Sequence, residues 1–255
     1  LIVIGLDGAT WSVIKPNLDK LPAFSKLLST HKHATLECDV RPVHSAASWT
    51  TIFSGLLPEV HGIRDFAMGD TREALLARRI FVWDRIRKGI AMCIPLAIPP
   101  INKNYELRGW EAVMLSTTED EMFASTRKLL SDTIAAIEYG DADLVAVVFS
   151  ETDRAQHMFW HKPDVLLKHY QSVDRALLKL MPHLDDFLVL SDHGFTDAQE
   201  TRKNGWDNVR DNQTGGHHPE GIVIAPDEPP RKVSEVCAYI ESKIKREERQ
   251  AEKPR

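Results

Sequence analysis

Five short segments combine acids, histidines and a hydroxyl in ways that could hold metal ions and receive a phosphate. Asp7 stands in Gly5-Leu6-Asp7-Gly8, directly behind an apolar run. Asp153 and His157 are four residues apart, so one helical turn puts them on one face. Asp192 and His193 are adjacent, and Gly194 after them allows a sharp exit that lets both side chains reach one ion. Gly215-Gly216-His217-His218 offers a histidine where glycines let the backbone approach closely. In the stretch Arg41 to Gly55, Ser45 falls at the start of a short helix, where free N–H groups favour an anion. Each motif alone has an ordinary use: a turn aspartate, a surface Asp–His pair, a flexible loop, a helix cap. Together they supply three aspartates, three histidines and one hydroxyl, the donor set of a carboxylate–imidazole metal centre. A dinucleotide loop is a poor reading of Gly5–Gly8. The GxGxxG spacing is absent, and a carboxylate there would repel a pyrophosphate unless a cation stood between them.

These residues need a frame that brings them to one edge. Strands are expected at Leu1–Leu6, Ala34–Val40, Ile90–Leu96, Leu144–Phe149, Phe187–Leu190 and Ile222–Ala225, each a short apolar run bounded by Gly, Asp or Pro. Helices are expected at Pro22–Ser29, Ala46–Ser54, Val82–Lys88, Glu119–Glu138, Asp164–Met181 and Lys232–Arg246. Thr118 followed by acids, and Gly140 at the far end, are start and stop signals for the long helix. Continuous apolar strands alternating with helices predict an α/β fold of three α/β/α layers around a central, largely parallel sheet. Ligands in such sheets bind beyond the carboxyl ends of the strands, where Asp7, Asp153 and Asp192 fall. The segment 64–110 fits the alternation poorly and reads as a small insertion, and the charged tail from Lys243 reads as a fraying helix end. The expectation is one catalytic domain over residues 1–255.

Composition narrows the function classes. With 255 residues and 43% hydrophobic content the chain can bury a sizeable core, and no apolar run approaches the length of a membrane span. Lys and Arg number 32 against 37 acids, a net charge of −5, so there is no basic excess to hold a nucleic-acid backbone. Three scattered cysteines without CxxC spacing argue against a disulfide framework or a thiolate zinc site. No basic segment followed by an apolar one marks a signal peptide, so a cytoplasmic location is expected. The oligomeric state is left open.

Taken in order, the motifs resemble the alkaline phosphatase superfamily, and within it the type I phosphodiesterase/nucleotide pyrophosphatase family. The likeness runs from Leu1 to about Pro226 through Gly5-Leu6-Asp7-Gly8, then Ser45 with Trp49-Thr50-Thr51, Gly55 and His61-Gly62, then Asp153 with His157, then Asp192-His193-Gly194 with His217. The resemblance implies an alkaline phosphatase-like fold and two divalent cations, zinc by preference, with manganese or iron compatible. One cation would be held by Asp7, Asp192 and His193 and would touch Ser45, the nucleophile position. The other would be held by Asp153, His157 and His217, with His218 the neighbour to which that last assignment could slip. It further implies hydrolysis of phosphodiester or pyrophosphate bonds in a small phosphorylated substrate, through a covalent Ser45–phosphoryl intermediate. Three carboxylates and two divalent cations leave one positive charge, which an ionised Ser45 would balance. The alternatives are a phosphomonoesterase or phosphoryl-transfer enzyme on the same centre, and a non-catalytic metal-binding domain that kept the fold.

The chain departs from the family pattern in places. Ser48 stands where relatives commonly have an asparagine that donates to a phosphate oxygen, and the gap between His193 and His217 is short where many relatives carry an insertion. The Cys/Ser-x-Pro-x-Arg signature of sulfatases is missing. Trp11, Trp160 and His161 lie near proposed ligands in sequence and could line a pocket, and Arg41 and Arg154 could reach a phosphate. The histidines at 31, 33, 44, 61, 169 and 183 read as surface or structural, His61 with a loop-ordering role.

Overall fold

Most of the apolar runs become strands buried on both faces; the edge strand β2 (Lys32–Glu37) buries only alternate residues. The computed structural model describes residues 1–66, 82, 86–95, 105–108 and 118–251. Along the first half come β1 (Ile2–Leu6), α1 (Trp11–Ile14), α2 (Pro22–Thr30), β2 (Lys32–Glu37), α3 (Ser45–Ser54), α4 (Pro58–His61), β3 (Gly89–Met92) and β4 (Tyr105–Arg108). They are followed by α5 (Glu119–Tyr139), β5 (Leu144–Phe149), α6 (Glu151–Phe159), α7 (Pro163–Leu180) and β6 (Phe187–Leu190). The chain continues through β7 (Gly194–Asp197), α8 (Ala198–Asn204), β8 (Gly215–His218), β9 (Glu220–Ala225) and α9 (Val236–Ala251).

Seven strands form one sheet in the order β2-β9-β6-β1-β5-β3-β4. Only β9 runs against its neighbours; the other pairings are parallel. Side chains alternate between two cores. Val3, Leu144, Ala146, Val148, Leu188 and Leu190 face α3 and α9, where Trp49, Ile52, Phe53, Val236 and Ile240 meet them. Ile2, Ile4, Leu6, Val145, Val147 and Phe149 face α2, α5 and α7, against Phe24, Leu27, Leu129, Tyr170 and Leu177. Period-two alternation with apolar residues at both phases produces a continuous apolar run, and burying each such side chain stabilises the fold by about 1.5–3 kcal/mol. The three-layer arrangement with a largely parallel sheet matches the expectation.

Local signals behave as physics requires. Thr118 and Glu121 form a reciprocal capping box at the start of α5, and the helix stops at Gly140. The strand expected at Ile90–Leu96 ends at Met92, because Cys93 takes a positive φ of 57° and turns the chain. The last helix is preceded by a 3-10 turn at Val233–Glu235 rather than starting at Lys232. Within 64–110, β3 and β4 extend the edge of the sheet and most of the remainder lies outside the described residues. Of the helix expected at Val82–Lys88, residues 83–85 lie outside them, and Ile86, Arg87 and Lys88 are not helical but bend the chain into β3. The antiparallel ribbon of β7 and β8, β4 and the short helices α1, α4 and α8 were not anticipated. No described helix is long and apolar enough to cross a membrane.

Candidate active site

β1 lies between β5 and β6, so the residues leaving these three strands at their carboxyl ends are neighbours in space. Asp7 directly follows β1. Gly8, at a φ of 67°, turns the chain there, and a Cβ on it would come within 2.8 Å of Phe195. Beyond β5 the chain enters α6, which carries Asp153 and His157 one turn apart. Asp192 and His193 follow β6, and Asp192 Oδ1 accepts from the Gly8 amide at 3.2 Å. The ribbon β7–β8 folds back over this edge and delivers His217.

The side chains converge as two touching groups. Ser45 Oγ lies 3.2 Å from Asp7 Oδ1 and 3.2 Å from His193 Nε2. His193 Nε2 is also 3.3 Å from Asp192 Oδ2. In the second group His157 Nε2 and His217 Nε2 stand 3.5 and 3.4 Å from Asp153 Oδ1, and 3.1 Å from each other. Ligand atoms of Asp153, His157 and His217 fall within 4.8 Å of one another, and so do those of Asp7, Asp153 and His193. Asp153 therefore reaches both groups, whereas the sequence assigned it to one.

The orientation of the histidines tests whether a cation fits. Nδ1 of each ring meets a backbone carbonyl: Gly215 for His157 at 3.2 Å, Gly194 for His193 at 3.0 Å and Val43 for His217 at 2.7 Å. A carbonyl only accepts, so Nδ1 carries the proton and Nε2 is the atom turned on the carboxylates. Asp153 Oδ1 and Asp192 Oδ2 are buried without a hydrogen-bond partner among the described residues. Such orphaned oxygens are costly unless positive charge reaches them. Burial, reinforced by Asp192 and Asp153, raises Asp7 well above the usual carboxylate range; burial also pushes Asp192 up to about 7, against the hydrogen bond it shares with Asp7. Burial would raise Asp153 as well, but His157 and His217 overcome it and hold its carboxyl below the ordinary range. His193 and His157 are held low by burial. Burial opposes charge on His217 too, yet Asp153 and Asp207 overcome it and raise that ring well above its ordinary value. The centre recruits positive charge, and its donors are the hard carboxylate and borderline imidazole groups that divalent transition metals take.

The family model for type I phosphodiesterase/nucleotide pyrophosphatase matches residues 1–76 and 82–255. The chain belongs to this family. As a type I phosphodiesterase/nucleotide pyrophosphatase family member it is a phosphoesterase of that class. No curated protein matches it in sequence. Among solved structures it is similar to murine ectonucleotide pyrophosphatase/phosphodiesterase 5, an inactive variant in complex with AMP, with a TM-score of 0.66, 14% identity, and 96% of this chain and 94% of that one covered. Phosphonoacetate hydrolase from Sinorhizobium meliloti 1021 in complex with phosphonoformate gives a TM-score of 0.56 and 15% identity over 77% of this chain and 56% of that one. TAB5 alkaline phosphatase gives 0.54 and 13%, over 96% and 97%. At these identities the likeness shows the shared fold.

Some other residues of this family member fall where the sequence placed them and some do not. His217 faces the centre, whereas His218 is turned to Trp206 and accepts the Glu220 amide on Nδ1. The cap of α3 is His44, whose Nδ1 accepts from the Ala46 amide at 3.1 Å, which leaves the Ser45 hydroxyl to the centre. Ser48 is fully buried with Oγ 3.3 Å from Cys38 Sγ, so it does not take over the phosphate-facing role of the asparagine in relatives. Arg41 donates to the carbonyls of Cys38 and Val40 and orders its own loop. Trp11 and Trp160 line a cleft of about 230 Å³ together with Phe195, whose ring also packs on His157 and His217. His161 pairs with Asp197. His61 Nδ1 accepts the Ile63 amide and its Nε2 meets Thr51, the loop-ordering role expected of it.

Three contributors escaped the sequence. Asp207 Oδ2 sits 2.8 Å from His217 Nδ1, Trp49 Nε1 donates to Asp7 Oδ2 at 3.3 Å, and Thr152 donates to the Asp7 carbonyl at 2.6 Å. Trp49 and Thr152 belong to motifs already noted, but only their burial against Asp7 shows the contact. Asp207 lies in an irregular segment with no spacing signal.

Proposed function

We propose that the chain hydrolyses phosphodiester or pyrophosphate bonds of a small phosphorylated substrate, with Ser45 as the nucleophile. The observation that carries this reading is the inward convergence of three imidazole Nε2 atoms and three carboxylates as two touching groups, with the Ser45 hydroxyl held by Asp7 and His193 of one of them. Two divalent cations, zinc by preference, would be held by Asp153, His157 and His217 and by Asp7, Asp192 and His193, and would neutralise charge on the reacting oxygens.

Asp7 and His193 hold Ser45 Oγ in place, and Trp49 in turn fixes Asp7. α3 begins at Ser45, so its positive end would favour the charge of a phosphate brought to that hydroxyl. Ser45 Oγ bonds to phosphorus while the bond to the leaving oxygen breaks, and the proton that Oγ gives up ends on the departing oxygen by way of solvent, giving a phosphoseryl enzyme. Water then attacks phosphorus, the bond to Ser45 Oγ breaks, and the hydroxyl is restored.

Turnover of bis(4-nitrophenyl) phosphate and 4-nitrophenyl phosphate, with mass spectrometry of acid-quenched enzyme, tests this. The diester should be the better substrate, a phosphoryl adduct should map to Ser45, and Ser45→Ala should remove both adduct and turnover. Near-normal turnover by Ser45→Ala would overturn the nucleophile assignment, and full activity after chelation would overturn the metal dependence.

A further inference from the structure

Helices α5 and α7 leave a cleft of about 460 Å³ between them. Its walls are one stripe from each helix, at helical spacing: Phe123, Thr126 and Arg127 on α5, and Lys168, Ser172, Arg175 and Lys179 on α7. Among the described residues four cations therefore line it and no acidic residue does, in a chain whose net charge is −5. None of Arg127, Lys168, Arg175 and Lys179 lies within salt-bridge distance of a described carboxylate. Asp174, next to Arg175 in sequence, is turned instead to the amides of Ala23 and Phe24.

The floor is specific about what it offers. Thr126 and Ser172 both donate their hydroxyl protons inward to Glu151 Oε2, so towards the cleft they present lone pairs. Glu151 Oε1 is taken by His169 Nδ1 at 2.9 Å. Charged donors for a ligand thus come from the rim, spread along α7 over about 16 Å from Lys168 to Lys179. The two guanidinium groups are suited to bidentate contact with phosphate oxygens, and the volume is in the range of small-molecule sites. A single small anion cannot engage cations so far apart; several linked anionic groups can.

We propose that this cleft is a binding site for a phosphate-bearing small molecule with several anionic groups, separate from the Ser45 centre. The proposal stands independently of the phosphoesterase reading.

Inorganic tripolyphosphate is a suitable probe, titrated calorimetrically into the full chain in chelator, so that no cation in the Ser45 centre recruits it there. One saturable site is expected, weakening as salt is added. The exposed pair Lys168→Ala/Arg175→Ala should lower the affinity at least about tenfold, with an unchanged circular dichroism spectrum. Arg127→Gln/Lys179→Gln offers the same readout from the other two cations, and Ser45→Ala should leave the affinity as it is. No saturable binding, indifference to both pairs, loss in Ser45→Ala, or equally tight binding of hexaglutamate would each overturn the proposal.

Discussion

Asp207 Oδ2 lies 2.8 Å from His217 Nδ1, while the Val43 carbonyl stands 2.7 Å from the same nitrogen. One ring N–H is shared between a carboxylate and a carbonyl, which fixes the tautomer and turns Nε2 towards Asp153 and His157. Carboxylates behind a ligating imidazole both aim it and raise its basicity. Asp207→Ala should therefore lower metal affinity and turnover about 10–100-fold with the fold retained. Metal titration beside steady-state kinetics checks this, and unchanged metal affinity would leave Asp207 a bystander.

Chelation should expose the cost of crowding carboxylates. Burial raises Asp192 to about 7 and Asp7 well above the carboxylate range, so between the unfolded and folded values the native state binds more protons than the unfolded chain. Their contribution to stability is full below the unfolded value and is lost as pH rises towards 7. In chelator, Asp192→Asn should accordingly be more stable than wild type at pH 8, by about 1.4 kcal/mol for each unit of displacement removed, and the gain should vanish near pH 4. Urea denaturation at both values measures it, and added divalent metal should reverse the order at pH 8.

Gly5 touches the Trp49 ring so closely that a Cβ would sit 2.3 Å from Cη2 and 2.8 Å from Val148 Cγ2. Gly5→Ala should push Trp49 off Asp7 and destabilise the protein by about 1–3 kcal/mol. Thermal unfolding gives the stability, and tryptophan fluorescence reports the displaced ring. A variant with wild-type stability would mean that α3 shifts freely over the sheet.

Glu151 opens α6, the helix that carries Asp153 and His157, and is buried with His169, Thr126 and Ser172 on its two oxygens. Removing it leaves three buried polar groups without their acceptor. Glu151→Ala should cost about 3–5 kcal/mol, against much less for Glu151→Gln, which keeps the shape and part of the hydrogen bonding. Chemical denaturation of both variants distinguishes a charge requirement from a hydrogen-bond requirement.

The parts of this protein that local physics controls were readable in the chain. β1, β5 and β6 are continuous apolar runs because they are buried on both faces, and Asp7, Asp153 and Asp192 directly follow or nearly follow such runs. Asp153 and His157 share a face by helical periodicity alone, and Thr118 and Gly140 bound α5 by capping chemistry. Long-range pairing decided the rest. That β1 lies between β5 and β6, bringing the three aspartates together, is a property of strand order and not of any one segment. Adjacent residues of a strand point to opposite faces, so the choice between His217 and His218 rests on the register of β8 against β7, which pairs His217 with Phe195. Asp207 behind His217, Ser48 turned to Cys38, and the cations of α5 and α7 facing one cleft join residues distant in sequence or set by how helices pack. No local propensity encodes such contacts, because their energy exists only once the sheet and its two helical layers have formed.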